Sequence, residues 1–247
     1  MRKSFGTVAA VDGITVTVAP GKTLGIAGAN GAGKTTFFNL VAGALRPDAG
    51  TITYGGQSIH GLRPDEICRL GIVRTFQTTA TSPEQSVFEN VAMAAAYGGA
   101  RHRFPVRFTP AVIDAALDVL WMVGLEGVES RPAGELSVFD QRRLMLAAAL
   151  ATSPRLLMLD EPVGGLLPEE IDEVARIVED IRGQGIALVV IEHVMSFLTR
   201  VCPERILIMH QGRELFEGTA LEVSRNATVR EAWLGDEIPL PAITAPR

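Results

Sequence analysis

Two short stretches hold the residue types and spacings best suited to chemistry. The first is Gly28-Ala29-Asn30-Gly31-Ala32-Gly33-Lys34-Thr35, which fits the pattern G-x-x-x-x-G-K-[ST]. Glycines let the backbone bend so that successive N–H groups converge, an arrangement that suits phosphate oxygens. A helix opening at Thr35 and Thr36 adds its positive dipole end. In such a cradle Gly28, Asn30, Gly31 and Gly33 shape the loop. Lys34 reaches the β- and γ-phosphates of a nucleotide, and the Thr35 hydroxyl ligates Mg2+. The second stretch is Arg155-Leu156-Leu157-Met158-Leu159-Asp160-Glu161-Pro162. Its apolar run reads as a strand that crosses a sheet and delivers two adjacent acids. Asp160 is placed to hold Mg2+, and Glu161 to orient and polarise an attacking water. A nucleoside triphosphate and Mg2+ are what this pair of stretches calls for.

Both stretches need a scaffold, and the hydrophobic pattern supplies one. Residues 24–27 form a short apolar run directly before the glycine loop, and 35–44 have helical spacing. Ile14, Val16 and Val18 alternate with threonines, which predicts a half-buried strand, and 51–54 predict another. Helices are expected over 89–97, 111–123, 140–152, 169–182 and 195–201, and strands over 155–159, 187–191 and 205–209. Strands alternating with helices predict an α/β domain with a mainly parallel sheet, and the helical middle reads as an inserted subdomain. A basic connection, with Arg101, His102, Arg103 and Arg107, separates two of those helices.

Composition excludes several classes. The chain has 247 residues, 47% of them hydrophobic, so it can bury a sizeable core and is not globally disordered. A net charge of -5 argues against gripping nucleic acid by bulk positive charge. Cys68 and Cys202 are too few for a disulfide scaffold, and no apolar run approaches the length of a transmembrane helix. The start reads as no secretion signal. The expectation is a soluble protein of a reducing compartment that reaches a membrane only through partners.

With these residues in place, the sequence resembles the ATP-binding subunits of ABC transporters. The phosphate loop, Gln77, Leu136-Ser137, Asp160-Glu161 and His193 follow that family's order and approximate spacing. Within the family it is most similar to the ATPases of branched-chain amino acid importers, through Phe5-Gly6, Arg74-Thr75-Phe76-Gln77, Gln141-Arg142-Arg143-Leu144, Ile191-Glu192-His193 and Ala232-Trp233-Leu234-Gly235. Urea and amide importers share much of this pattern. The resemblance implies a P-loop NTPase core of ABC type over residues 1–235, with an antiparallel β edge and an α-helical subdomain at about 78–152. A Pro-rich tail, 236–247, follows. The resemblance also makes the nucleotide ATP, and it implies roles. Gln77 touches Mg2+ or the attacking water, His193 contacts the γ-phosphate, Phe5 stacks on adenine, and Ser137 faces the nucleotide of an opposing subunit. The first strand of the family is expected to be missing or shortened. Implied partners are a second ATPase subunit, two membrane permeases docking near 78–91, and indirectly a solute-binding protein, with no nucleic acid. The implied location is the cytoplasmic face of the inner membrane, as a peripheral subunit.

The chain departs from that family at its signature, commonly L-S-G-G-Q, which here reads Leu136-Ser137-Val138-Phe139-Asp140. A phenyl ring at the glycine position is expected to obstruct close backbone approach, and an aspartate to repel phosphate. Leu167 stands where Asp or Asn is common. An asymmetric heterodimer follows as the expectation, with a catalytically weak ATP-binding regulatory subunit as the alternative.

Overall fold

The computed structural model describes residues 1–75, 81–98 and 108–229. Gln77, the basic residues at 101–107, Trp233 and the tail at 236–247 therefore lie outside the described residues. The strands are β1 (Arg2–Phe5), β2 (Val8–Asp12), β3 (Thr23–Ala27), β4 (Thr53–Tyr54), β5 (Gln57–Ser58), β6 (Ile72–Arg74), β7 (Leu156–Asp160), β8 (Ala187–Ile191), β9 (Ile206–His210) and β10 (Arg213–Gly218). The helices are α1 (Lys34–Val41), α2 (Pro64–Arg69), α3 (Val87–Tyr97), α4 (Pro110–Met122), α5 (Val138–Ala151), α6 (Pro168–Gly183), α7 (Met195–Val201) and α8 (Ala220–Arg225).

Six strands form one sheet in the order β10-β9-β3-β8-β7-β6. Strands β9, β3, β8, β7 and β6 run parallel, and β10 closes one edge antiparallel to β9. Side chains of a strand alternate between faces, and both faces are apolar here, as a parallel sheet covered by helices requires. Leu24 and Ile26 of β3, with Val189 and Ile191 of β8, face a core that holds Phe37, Phe38 and Leu40 of α1. Leu188 and Val190 of β8 face the opposite core, which contains residues of α3 through α8. Helices α3, α4 and α5 pack on one another. Two hairpins, β1-β2 and β4-β5, complete the antiparallel part of the fold.

Several expectations need correction. Residues 14–19 form no ladder; the strand lies earlier, at β2, paired with β1. A strand of four residues is thus present over Arg2–Phe5, so the first strand is short and not missing. Ile14 is buried as its pattern demands, but the N-terminal ammonium takes its carbonyl and the Arg205 guanidinium takes that of Thr17. Alternation reports which side chains face inward, not whether a partner strand lies alongside. The strand expected over 51–54 shrinks to two residues, β4, opposite β5. Helices α2 and α8 and strand β10 went unread. Their local signals were present, since Pro64, Asp65 and Glu66 open α2, and Thr219 and Glu222 form a reciprocal cap on α8.

Candidate functional site

The carboxyl ends of β3, β7 and β8 end level with one another. Ile26 pairs with Ile191, and Ile191 with Asp160, so the glycine loop and the two acids emerge at one edge. Strand β8 lies between β3 and β7, which sets the loop and the acids about 10 Å apart at ordinary strand spacing.

The loop after β3 depends on two glycines. Gly28 and Gly33 have φ of 151° and 99°, and a Cβ on either would collide with a carbonyl oxygen, that of Met209 or of Ala10. The loop is therefore wedged against β9 and β2. Gly31, with φ of 80°, has open space around it. Gly33→Ala is expected to cost about 3 kcal/mol or more, from backbone strain plus collision, whereas Gly31→Ala costs about 1–2 kcal/mol from strain alone. Urea unfolding measures both; equal losses would contradict the wedging of Gly33.

Gly33 caps α1, and Lys34 folds back so that its Nζ donates to the carbonyls of Gly28, at 2.7 Å, and Ala29, at 3.1 Å. Burial pulls the Lys34 ammonium below the ordinary lysine range, while Glu161, Asp160 and Glu192 pull it upward. Asn30, Gly31, Gly33, Lys34, Thr35, Thr36 and Glu161 line a cavity of about 490 Å3, which Val8, Ala9 and Ala10 close from the hairpin side and Gln211 from beyond β9. Gly28 shapes this cavity without lining it. Thr35 is exposed, so its hydroxyl is available.

At the end of β7, Asp160 is buried and its Oδ2 lies 2.7 Å from Nη2 of Arg74. Glu161 adopts a left-handed backbone, φ 49°, which is strained for a residue with a Cβ. That turn breaks the strand direction directly after Asp160. The two neighbouring acids diverge, with Glu161 lining the cavity and Asp160 inside the protein. This donor set fits a polyphosphate with a hard cation. The Lys34 ammonium and the loop backbone would serve the anion, while the Thr35 hydroxyl and the Asp160 carboxylate would suit Mg2+, which takes its other oxygens from phosphates and water. Among the described residues no cluster of three or more His, Cys, Asp or Glu forms a metal site by itself.

His193 follows β8, with its side chain 56% exposed and Nδ1 3.4 Å from Oε2 of Glu192. Glu192 is wholly buried, and its carboxylate accepts N–H bonds from Val163 (3.2 Å), His193 (2.7 Å) and Val194 (3.0 Å). Burial pushes its carboxyl above the usual range, against the pull of those N–H donors. Glu192 thereby ties the segment after the acids to the histidine. Sequence reading missed this role, because Val163 is remote in the chain. Phe5, half exposed, lies outside the cavity lining; its register partner Val8 lines it.

Ser137 caps α5, its Oγ accepting the N–H of Asp140 at 3.0 Å. The Phe139 ring packs against the core beneath the Arg143 guanidinium, 4.4 Å away, and Asp140 pairs with Arg143. The aspartate charge is therefore answered within its own helix. Val138, 56% exposed, is the apolar side chain left open beside Ser137. Leu167 is exposed as well.

The family model described as ABC transporter matches residues 11–164. The chain is 35% identical over 241 residues to the high-affinity branched-chain amino acid transport ATP-binding protein LivG of Salmonella typhimurium, covering 94% of each. It is 34% identical to the corresponding protein BraF of Pseudomonas aeruginosa, again over 94% of each. A nucleotide-free ATP-binding cassette from an ABC transporter superposes with a TM-score of 0.84 at 27% identity, covering 95% of this chain and 96% of that one.

Proposed function

Because this chain belongs to the ABC transporter family and is one of its ATPases, we propose that it drives uptake of branched-chain or related amino acids through a membrane permease. The observation that carries this reading is its likeness to LivG and BraF along nearly the whole chain. The glycine loop and Lys34 bind the phosphates of ATP. Thr35, Asp160 and Gln77 would hold Mg2+, which would supply charge neutralisation for the transferring phosphoryl group. Glu161 takes a proton from the attacking water, Gln77 orients that water, and His193 donates to the terminal phosphate. Phe5 stacks on adenine.

Two such subunits sandwich two nucleotides, with Ser137 of each facing the other's phosphates. Val138 and the missing glycine at 139 hinder that approach, so a second ATPase with an intact signature is the favoured partner. Two permeases complete the assembly, a solute-binding protein delivers cargo to them, and the ATPase sits at the cytoplasmic face of the membrane. Residues 84–88, with Glu84 exposed and Val87 buried, are the segment assigned to permease docking, and no helix among the described residues is long and apolar enough to cross a membrane. Deleting the gene is expected to reduce uptake of radiolabelled leucine at low external concentration by about tenfold, the loss of a high-affinity route. Restoration by the wild-type chain and not by Glu161→Gln supports the proposal. Unchanged leucine uptake, with urea or amide uptake lost instead, refutes the choice of solute.

A further inference from the structure

We propose that Arg74 is the resident counter-cation of the metal-site carboxylate, a positioning residue that compensates the charge of Asp160 and holds it oriented when no metal is bound. The inference rests on the reading of Asp160 as a Mg2+ ligand. Its basis is a buried bridge across three elements. From the end of β6, the Arg74 guanidinium donates through Nη2 to Oδ2 of Asp160 on β7, at 2.7 Å. Through Nη1 it donates to Oδ1 of Asn39 on α1, at 2.6 Å. Its side chain is 7% exposed and that of Asp160 3%. The Phe38 ring lies 5.5 Å from the guanidinium carbon and closes another side.

The charge around this edge explains why a cation is needed there. Three acids, Asp160, Glu161 and Glu192, act on Lys34, whose ammonium is already engaged by loop carbonyls. A nucleotide adds further negative charge. Removing one member of a buried ion pair leaves the other uncompensated, and a bare Asp160 would repel an incoming triphosphate. With Arg74 in place, Oδ2 is occupied and neutralised, and Oδ1 is left for the metal or its water. The guanidinium also fixes the spacing between α1, which begins at Lys34 and Thr35, and β7. A lysine could not span both partners, because only the planar fork donates in two directions at fixed geometry.

The test compares the affinity of a fluorescent ATP analogue in EDTA and in Mg2+, for the full chain and for Arg74→Gln. In the wild type, Arg74 moderates the dependence on metal. In Arg74→Gln the ratio of the two dissociation constants is expected to rise by at least about fivefold, through weaker metal-free binding. A ratio within about twofold of wild type, or a smaller one, overturns the inference. Should Arg74→Gln fail to fold, Arg74→Lys is read in the same way, with a rise of at least about twofold expected and no rise overturning it. Failure of the wild type to bind the analogue under either condition would instead refute the nucleotide-site reading itself. Stability in EDTA gives a readout independent of turnover. Mg2+ plus nucleotide is expected to raise the melting temperature of Arg74→Gln more than that of the wild type, and an equal rise counts against the role.

Discussion

Lys34→Ala is expected to weaken nucleotide binding by about a hundredfold or more while leaving the fold intact. The Lys34 ammonium is the cation that faces the cavity from within the loop, and it is largely buried. In the absence of nucleotide it spends its hydrogen bonds on the carbonyls of Gly28 and Ala29. Binding of a triphosphate exchanges these for charge-assisted bonds to phosphate oxygens, each contributing about 1.5–3 kcal/mol. Loss of two such bonds corresponds to roughly a hundredfold to ten-thousandfold weaker binding. Titration calorimetry with ATP and Mg2+ measures this directly, with circular dichroism as the control for folding. A loss of affinity below about threefold would mean that the cavity holds no phosphate at the place assigned to it.

Glu161→Gln separates binding from chemistry. The amide keeps the shape and can follow the same left-handed turn, but it cannot accept a proton from water. Turnover is expected to fall by about a hundredfold to ten-thousandfold, the range for loss of a general base, while ATP affinity stays within about threefold. Measured in the reconstituted transporter, the same experiment probes asymmetry. If the partner's signature serves this chain's nucleotide, Glu161→Gln removes most of the turnover, and the equivalent change in the partner removes little. Equal losses would discard the asymmetric arrangement. Retained turnover in Glu161→Gln would reassign the base altogether. Isolated from its partner, the wild-type chain is expected to bind ATP and hydrolyse it slowly.

The signature illustrates where reading the chain stops. From residue types alone, Phe139 and Asp140 appear as a ring and a negative charge placed against the phosphate of an opposing subunit. In the fold, Arg143, one turn along α5, lies over the ring and pairs with the carboxylate. Arg143 also reaches Glu173 on α6. What remains at the helix end is the bulk of Val138 and the lost freedom of glycine, so the electrostatic part of the expected obstruction is reduced and the steric part stays. Spacing of three and four residues along a helix is visible in sequence, but the rotamers that bring these side chains together depend on what the opposite face buries.

Elements followed the same division. Strand β8 and helix α7 were legible over the residues they occupy, because a fully apolar run between helices and a short amphipathic turn have few alternatives. The hairpin β1-β2 was not, since the alternation at 14–18 gave a stronger signal than the real strand at Val8–Asp12. A ladder requires a partner, and the partner here is decided by the packing of the chain start against Ile14 and Ala49.

Chain-local chemistry was determined by the sequence itself: the bend of the glycine loop, the ammonium at its end, and two acids after an apolar run. These depend on covalent neighbours, whose spacing is written in the chain. Tertiary structure alone decided that β3, β8 and β7 end level, that Asp160 turns inward to Arg74 while Glu161 lines the cavity, and that Glu192 joins Val163 to His193. Those pairings join residues tens of positions apart. They form only because burying both faces of the sheet forces their polar ends to find partners at its edge.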